Sequence, residues 1–247
     1  MMLHDETGFS LRRFSTLTTI PESHFWFAGR QALIRRVLDR FLSAKVATAL
    51  DVGCGPGRWL ASWRRYAQDV CGVDPFASTV DPATLAEGTR IITGVAARLP
   101  IEDGQVDLIL ALDVLEHIED APALSEMHRA LCPQGIALIT VPAYPWLWSF
   151  RDVDAGHLRR YTRRSLEAAI AQAGFEIRHV QYYQGLLLPV VALARLLGRR
   201  TARVRDTEDH PPDWLNRIMR QINLFEVNSG LRLPFGSSLL ALVQKTS

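Results

Sequence analysis

Leu50-Asp51-Val52-Gly53-Cys54-Gly55-Pro56-Gly57 lies where a short apolar run, Val46 to Val52, gives way to three alternating glycines. Arg58 to Tyr66 then has helical spacing, and Asp69 to Val73 is a second short apolar run. Strand, glycine-rich turn, helix and strand make one βαβ unit. In that arrangement main-chain N–H groups at a helix start face a ligand, and each missing Cβ lets the ligand approach. Several nucleotide-binding folds use such a turn. Asp51 narrows the choice, because a carboxylate two residues before the first glycine repels a diphosphate and attracts an ammonium or sulfonium. Asp74 closes the second strand, where it can accept both hydroxyls of a ribose bound across the strand ends. Two acids and three glycines therefore fit one cationic nucleoside. On the other reading, Asp51 and Asp74 are solvent-facing strand-end acids and the glycines are turn formers. No Gly-Lys-Ser/Thr follows, which excludes a Walker loop.

Outward from this unit, strands and helices keep alternating. Residues 28 to 42 place Leu33, Ile34, Val37, Leu38 and Phe41 on one helical face, opposite Arg30, Arg35, Arg36 and Arg40. Ile91-Ile92-Thr93, Val106 to Ala111 and Ile136 to Val141 read as further strands, with a helix around Ala123 to Leu131. A helix from about Ser165 to Ala173 ends at Gly174, Ile177 to Tyr183 is a sixth strand and Ser238 to Val243 a seventh. The pattern predicts a doubly wound α/β fold with a mainly parallel sheet covered on both faces. Between strands six and seven, residues 184–236 carry helical patterns of their own and are too long for a turn. The expected organisation is a single domain over 1–247: an N-terminal cap and helix (1–45), a core (46–183), a helical lid insertion (184–236) and a final strand (237–247).

Composition removes several function classes. At 247 residues and 48% apolar, the chain suits one large domain. A formal charge of +2 provides no global field for nucleic acid. Cys54, Cys71 and Cys132 form neither a CxxC pair nor an even framework, and the first ten residues lack a signal-peptide pattern, so a cytoplasmic location is expected. Leu186 to Leu197, the longest apolar stretch, contains Pro189 and Arg195 and falls short of the roughly 20 residues that span a bilayer.

Taken in order, Leu50 to Gly57, Gly72-Val73-Asp74, Leu112-Asp113-Val114-Leu115-Glu116-His117 and Leu131-Cys132-Pro133-Gln134-Gly135 resemble the successive motifs of class I S-adenosylmethionine-dependent methyltransferases. The resemblance covers roughly residues 24 to 183 and is nearest to small-molecule and lipid-linked-acceptor members, such as ubiquinone-pathway O-methyltransferases. It implies a Rossmann-like seven-stranded sheet with an antiparallel last strand, and S-adenosylmethionine as methyl donor. It further implies cofactor contacts from Asp51, Gly53, Cys54, Gly55, Gly57, Asp74, Pro75, Asp113 and His117. Where the family often carries an acid for the adenine amino group, this chain has Gly94-Val95-Ala96, so a contact at Ala96 is main-chain or apolar. His24-Phe25-Trp26-Phe27 and Arg30 resemble a segment that caps the cofactor, which would bring Trp26 and Arg30 to its methionine end. The alternative is an aromatic staple that fastens the first helix to the sheet.

Methyl transfer from a sulfonium depends mostly on near-attack geometry in a dry pocket beyond the strand ends. That selects Asp113 and the segment from Tyr144 to Thr162, in which His157 and Tyr161 are the acceptor-side candidates. An unperturbed imidazole titrates near neutral pH and could take a proton from a hydroxyl, although His157 could equally tie the loop to the sheet. Asp113, Glu116 and His117, with His157 approaching, resemble the acid-x-x-Glu-His element of certain divalent-metal-dependent O-methyltransferases, with Mg²⁺ or Zn²⁺ as candidates. The same acids also form a capping-box variant, and on that reading no metal ligand is assigned.

After Leu197 the run Gly198-Arg199-Arg200-Thr201-Ala202-Arg203-Val204-Arg205 clusters arginines behind an apolar stretch. This fits either a lid helix with a solvated basic end or a peripheral contact with the inner face of a membrane. The expected reaction is methyl transfer to a hydroxyl of a small-molecule or lipid-linked acceptor. Nucleic acid is disfavoured because no RNA-binding module is recognisable, and the oligomeric state is left open. A non-catalytic S-adenosylmethionine-binding, membrane-associated partner protein is the alternative.

Overall fold

The computed structural model describes residues 19–198 and 211–246. Their strands are β1 (Val46–Val52), β2 (Ala67–Asp74), β3 (Thr89–Thr93), β4 (Val106–Leu112), β5 (Leu131–Pro142), β6 (Phe175–Tyr183) and β7 (Ser238–Lys245). They form one sheet in the order β3-β2-β1-β4-β5-β7-β6. β1 pairs in parallel with β2 and β4, as do β2 with β3 and β4 with β5, while β7 runs antiparallel to β5 and β6. The doubly wound sheet is the fold the sequence pattern predicts, and its antiparallel last strand is what the family resemblance implies.

The helices are α1 (Phe25–Phe41), α2 (Leu60–Trp63), α3 (Asp120–Ala130), α4 (Phe150–Ala155), α5 (Arg163–Gln172), α6 (Leu188–Gly198) and α7 (Asp213–Ser229). Successive residues of a strand point to opposite faces, and the central strands are apolar on both because helices cover both. Leu50, Val52 and Ile109 pack with Leu124 and Met127 of α3 and Leu166 and Ile170 of α5. On the other face Ala49, Leu108 and Leu110 pack with Ile34 and Leu38 of α1 and Leu60 and Trp63 near the glycine turn. Each fully buried Leu or Ile contributes about 1.5–3 kcal/mol relative to leaving it exposed.

Three local expectations are corrected. The first helix begins at Phe25, earlier than the periodicity suggests, because His24 Nδ1 accepts the Trp26 amide at 3.3 Å and caps it. Arg30 does not share the exposed face of Arg35, Arg36 and Arg40; it is buried. The helix expected over Arg58 to Tyr66 is only the single turn of α2, which ends in turns before β2 starts at Ala67. The Trp63 indole is drawn toward β1, where it donates to Asp51.

The described part of the segment after β6 consists of α6 and α7, and the arginine cluster over 199–205 lies outside the described residues. α7 packs along α1, where Asn223 Nδ2 donates to Phe25 O at 3.0 Å and Arg36 Nη1 to Val227 O at 2.6 Å. Glu226, buried on the same helix, accepts the amides of Gly185 (3.1 Å) and Leu186 (2.8 Å). α7 thereby fixes both the helix before β1 and the chain that enters α6. No described helix is long and apolar enough to cross a membrane.

Candidate active site

A cavity of about 360 Å³ lies beyond the carboxyl ends of β1, β2, β4 and β5, where ligands bind in open α/β sheets. Its floor is the turn after β1. Asp51 is buried in the strand, and its Oδ2 accepts the Trp63 indole N–H at 2.7 Å. Burial pushes its carboxyl up to about 7, against the lowering effects of the Trp63 hydrogen bond and the Arg30 charge. Asp74 is also buried; Oδ2 accepts the Gly55 amide and Oδ1 the Phe76 amide, both at 2.8 Å. Burial raises this carboxyl too, while the two amides oppose the rise. Asp74 thus braces the turn across the strand gap as well as lining the cavity.

The glycines have different tasks. Gly55, at φ +57°, has nothing within 4 Å of where a Cβ would stand, so its main chain is bare toward the cavity. Gly57 does not line the cavity: at φ +78° a Cβ would stand 2.6 Å from Ile91 Cδ1. Its expected cofactor contact is therefore replaced by close packing under the turn. Gly53, Cys54, Pro75 and Ala96 do line the cavity, as do Val95 and Trp26. Burial pushes the Cys54 thiol far up, so it stays an unreactive thiol.

At the end of β4 Asp113 adopts φ +59°, a conformation that costs a non-glycine residue about 1–2 kcal/mol. The strain is held by specific partners. Asp113 Oδ1 accepts the Thr140 hydroxyl at 2.8 Å, its amide donates to Thr140 O at 3.0 Å, and Oδ2 pairs with the Arg30 guanidinium. Arg30 reaches this point from α1 with its guanidinium 5.4 Å from the Phe27 ring centroid. Both partners line the cavity and are tied to each other.

Glu116, His117 and His157 come together on the opposite wall. Their ligand atoms lie within 4.8 Å of one another, and the imidazoles meet edge to face with centroids 4.7 Å apart. Glu116 is buried, with Oε2 lacking a hydrogen-bond partner among the described residues. Burial and then the charge of Asp113 hold its carboxyl well above the usual range. His157 Nδ1 is 2.9 Å from Asp152 Oδ1.

Asp152 is the residue that sequence reasoning missed. Fully buried in α4, it accepts Arg160 Nε at 2.6 Å and the Ser149 amide at 2.8 Å, and lies 3.5 Å from Arg195 Nη1 of α6. Burial alone would raise its carboxyl, but the His157 hydrogen bond and the charges of Arg160 and Arg195 hold it far below the usual range. An ionised carboxylate only accepts, so Nδ1 of His157 carries a proton toward Asp152, and in a neutral imidazole so held the lone pair is on Nε2. The one local signal was Ser149 with Asp152 three residues later, which is a capping box in the structure.

Tyr161 is corrected. It does not line the cavity; its buried hydroxyl donates to Asp120 Oδ2 at 2.8 Å and lies 3.2 Å from Leu115 O. Burial and the Asp120 hydrogen bond raise this phenol far above its usual range. Tyr161 ties the loop after β5 to the start of α3 and cannot reach an acceptor.

The model of a methyltransferase domain matches residues 26–180. A curated Mycolicibacterium smegmatis protein named "Probable S-adenosylmethionine-dependent methyltransferase" is 29% identical over 171 residues, 66% of this chain and 63% of its own. The chain covers 63% and 59% of the length of the first two such relatives. Among solved structures, an S-adenosylmethionine-dependent methyltransferase from Mesorhizobium loti superposes with a TM-score of 0.58 at 16% identity, covering 86% of this chain and 97% of the other. Geranyl diphosphate C-methyltransferase from Streptomyces coelicolor superposes with 0.57 at 15% identity, over 88% and 77%. At these identities the structural likeness concerns the fold.

Proposed function

The chain belongs to the methyltransferase-domain family, and on that premise we propose that it transfers a methyl group from S-adenosylmethionine to a hydroxyl of a small-molecule or lipid-linked acceptor. One observation carries the reading: a single cavity runs from the bare main chain at Gly55, between buried Asp51 and Asp74, to the imidazole of His157. When bound, the cofactor supplies an electrophilic methyl group. Asp51 would hold the cationic amino-acid end, Asp74 the ribose, and the apolar stretch at Val95 and Ala96 the adenine. Trp26 and the Arg30–Asp113 pair wall off the reacting end from water, which strengthens every charge interaction inside. Nε2 of His157, aimed by Asp152, would take the hydroxyl proton as the C–O bond forms and the C–S bond breaks.

The test is to incubate the protein with isotopically labelled donor and a cell extract, and to identify the labelled product. Single-turnover methylation should then fall about a hundredfold or more in His157→Ala with donor affinity kept, in line with the usual worth of a general base. An unchanged rate removes His157 from that role.

The tight approach of Glu116, His117 and His157 favours a second, metal-assisted reading. Two imidazoles and one carboxylate suit zinc better than magnesium, and the Asp152–His157 contact is a usual outer support for such a ligand. Asp113, expected from the sequence as a fourth member, is held instead by Arg30 and Thr140. Full activity after exhaustive chelation, with no metal found in the protein, ends this version.

A further inference from the structure

α6 is built inside out. Its one charged residue, Arg195, turns inward: the side chain is 11% exposed and Nη1 donates to Leu147 O at 2.9 Å. Val190 and Leu193, by contrast, are 55% and 57% exposed, and Leu186 just before the helix is exposed too. A helix facing water has the reverse arrangement, with charge outward and apolar residues toward the core. The segment that receives Arg195 continues the theme, exposing Trp146, Phe150 and Val153. Single exposed apolar residues are ordinary, whereas apolar patches on adjoining elements mark a surface that meets something apolar.

We propose that this face docks on an anionic lipid bilayer, with the cavity mouth turned toward the membrane. Val190 belongs both to the exposed stripe and to the cavity lining, so apolar surface continues from the outside into the site. A protein seated there would close the entrance, whereas a lipid surface would feed it. Trp146 is the residue type that settles at headgroup depth. Charge sets the lipid class: the sequence after α6 carries Arg199, Arg200, Arg203 and Arg205 before its first acid, Asp206. With no described helix able to span, the contact is peripheral. The inference deepens the lipid-linked reading of the acceptor and rests on it for its consequence: the acceptor would enter from the membrane plane.

The test is co-sedimentation of the full chain with vesicles of phosphatidylglycerol and phosphatidylcholine, and with phosphatidylcholine alone. The expected result is binding that needs phosphatidylglycerol and weakens at least about tenfold in Leu193→Asp/Trp146→Ser, since two interfacial apolar side chains are removed. Neither residue lines the cavity. Circular dichroism checks folding, and Leu193→Asn alone replaces the double variant if that one unfolds. Calorimetry with S-adenosylhomocysteine on the same samples reads the nucleoside site separately, so failed docking and failed cofactor binding are told apart. No sedimentation, equal sedimentation without phosphatidylglycerol, or undiminished binding by the variant overturns the proposal. So does a solution dimer that the same substitutions dissociate.

Discussion

Asp51 shows how a single buried acid can couple ligand binding to pH. Its carboxyl, raised to about 7 by burial, stays protonated in the empty folded protein at pH values where an unfolded chain has already lost that proton. The folded state therefore binds more protons than the unfolded one from the ordinary value near 3.8 up to about 7. Its stabilising contribution is complete at the acidic end and is lost as pH rises through that window, which denaturant titration of the empty protein will show as falling stability. A cationic ligand favours the ionised carboxylate. Calorimetry of S-adenosylhomocysteine in two buffers of different ionisation heat will thus detect proton release below pH 7, with affinity rising toward that pH. Asp51→Asn should remove a charge-assisted contact worth about 1.5–3 kcal/mol, weakening the same ligand ten- to a hundredfold.

At the scale of elements, α4 and the loop behind it hang from one carboxylate. Asp152 joins Ser149, His157, Arg160 and Arg195, so Asp152→Ala leaves two buried guanidiniums without their shared anion. The expected loss is about 3–5 kcal/mol, read as a lower denaturant midpoint with unchanged slope. The glycine turn separates in the same way by experiment. Gly57→Ala should destabilise by about 1–2 kcal/mol or more from backbone strain and its clash with Ile91, whereas Gly55→Ala should show the strain cost alone and lose nucleoside affinity. The turn was legible in the sequence because strand, glycines and acid are contiguous, and β1, β2, β4 and β5 were legible because central parallel strands are written as apolar runs. The acceptor wall was not. Asp152 acquires its meaning only when Arg160, from beyond α4, and Arg195, from α6, fold onto it. Tyr161 misled for the same reason: its sequence neighbours include His157, but the bridge of Tyr161 to Ala143 turns its ring toward α3. Arg30 looked like part of an exposed face because periodicity cannot foresee a carboxylate waiting at Asp113.

For the whole molecule, the cavity lies where sheet and cover meet: β1, β2, β4 and β5 from the sheet, α1, α4, α6 and α7 from the cover. A ligand seated there stabilises all of them together. At a concentration a hundredfold above its Kd, S-adenosylhomocysteine should add about 2.7 kcal/mol, a rise of roughly 5–10 °C in Tm for a domain of this size. Differential scanning calorimetry will show one shifted transition if the cover and sheet unfold together. The position of β7 bears on how the chain reaches this state. It is the last of the described strands along the chain, yet it lies between β5 and β6 and supplies Leu239 to Val243 to the interior. Until it emerges from the ribosome, the parallel half can assemble while β5 and β6 keep raw hydrogen-bonding edges that invite self-association. The sheet is therefore completed by threading β7 between two strands that precede it in the chain, a slow long-range closure during which those edges stay open to chaperones.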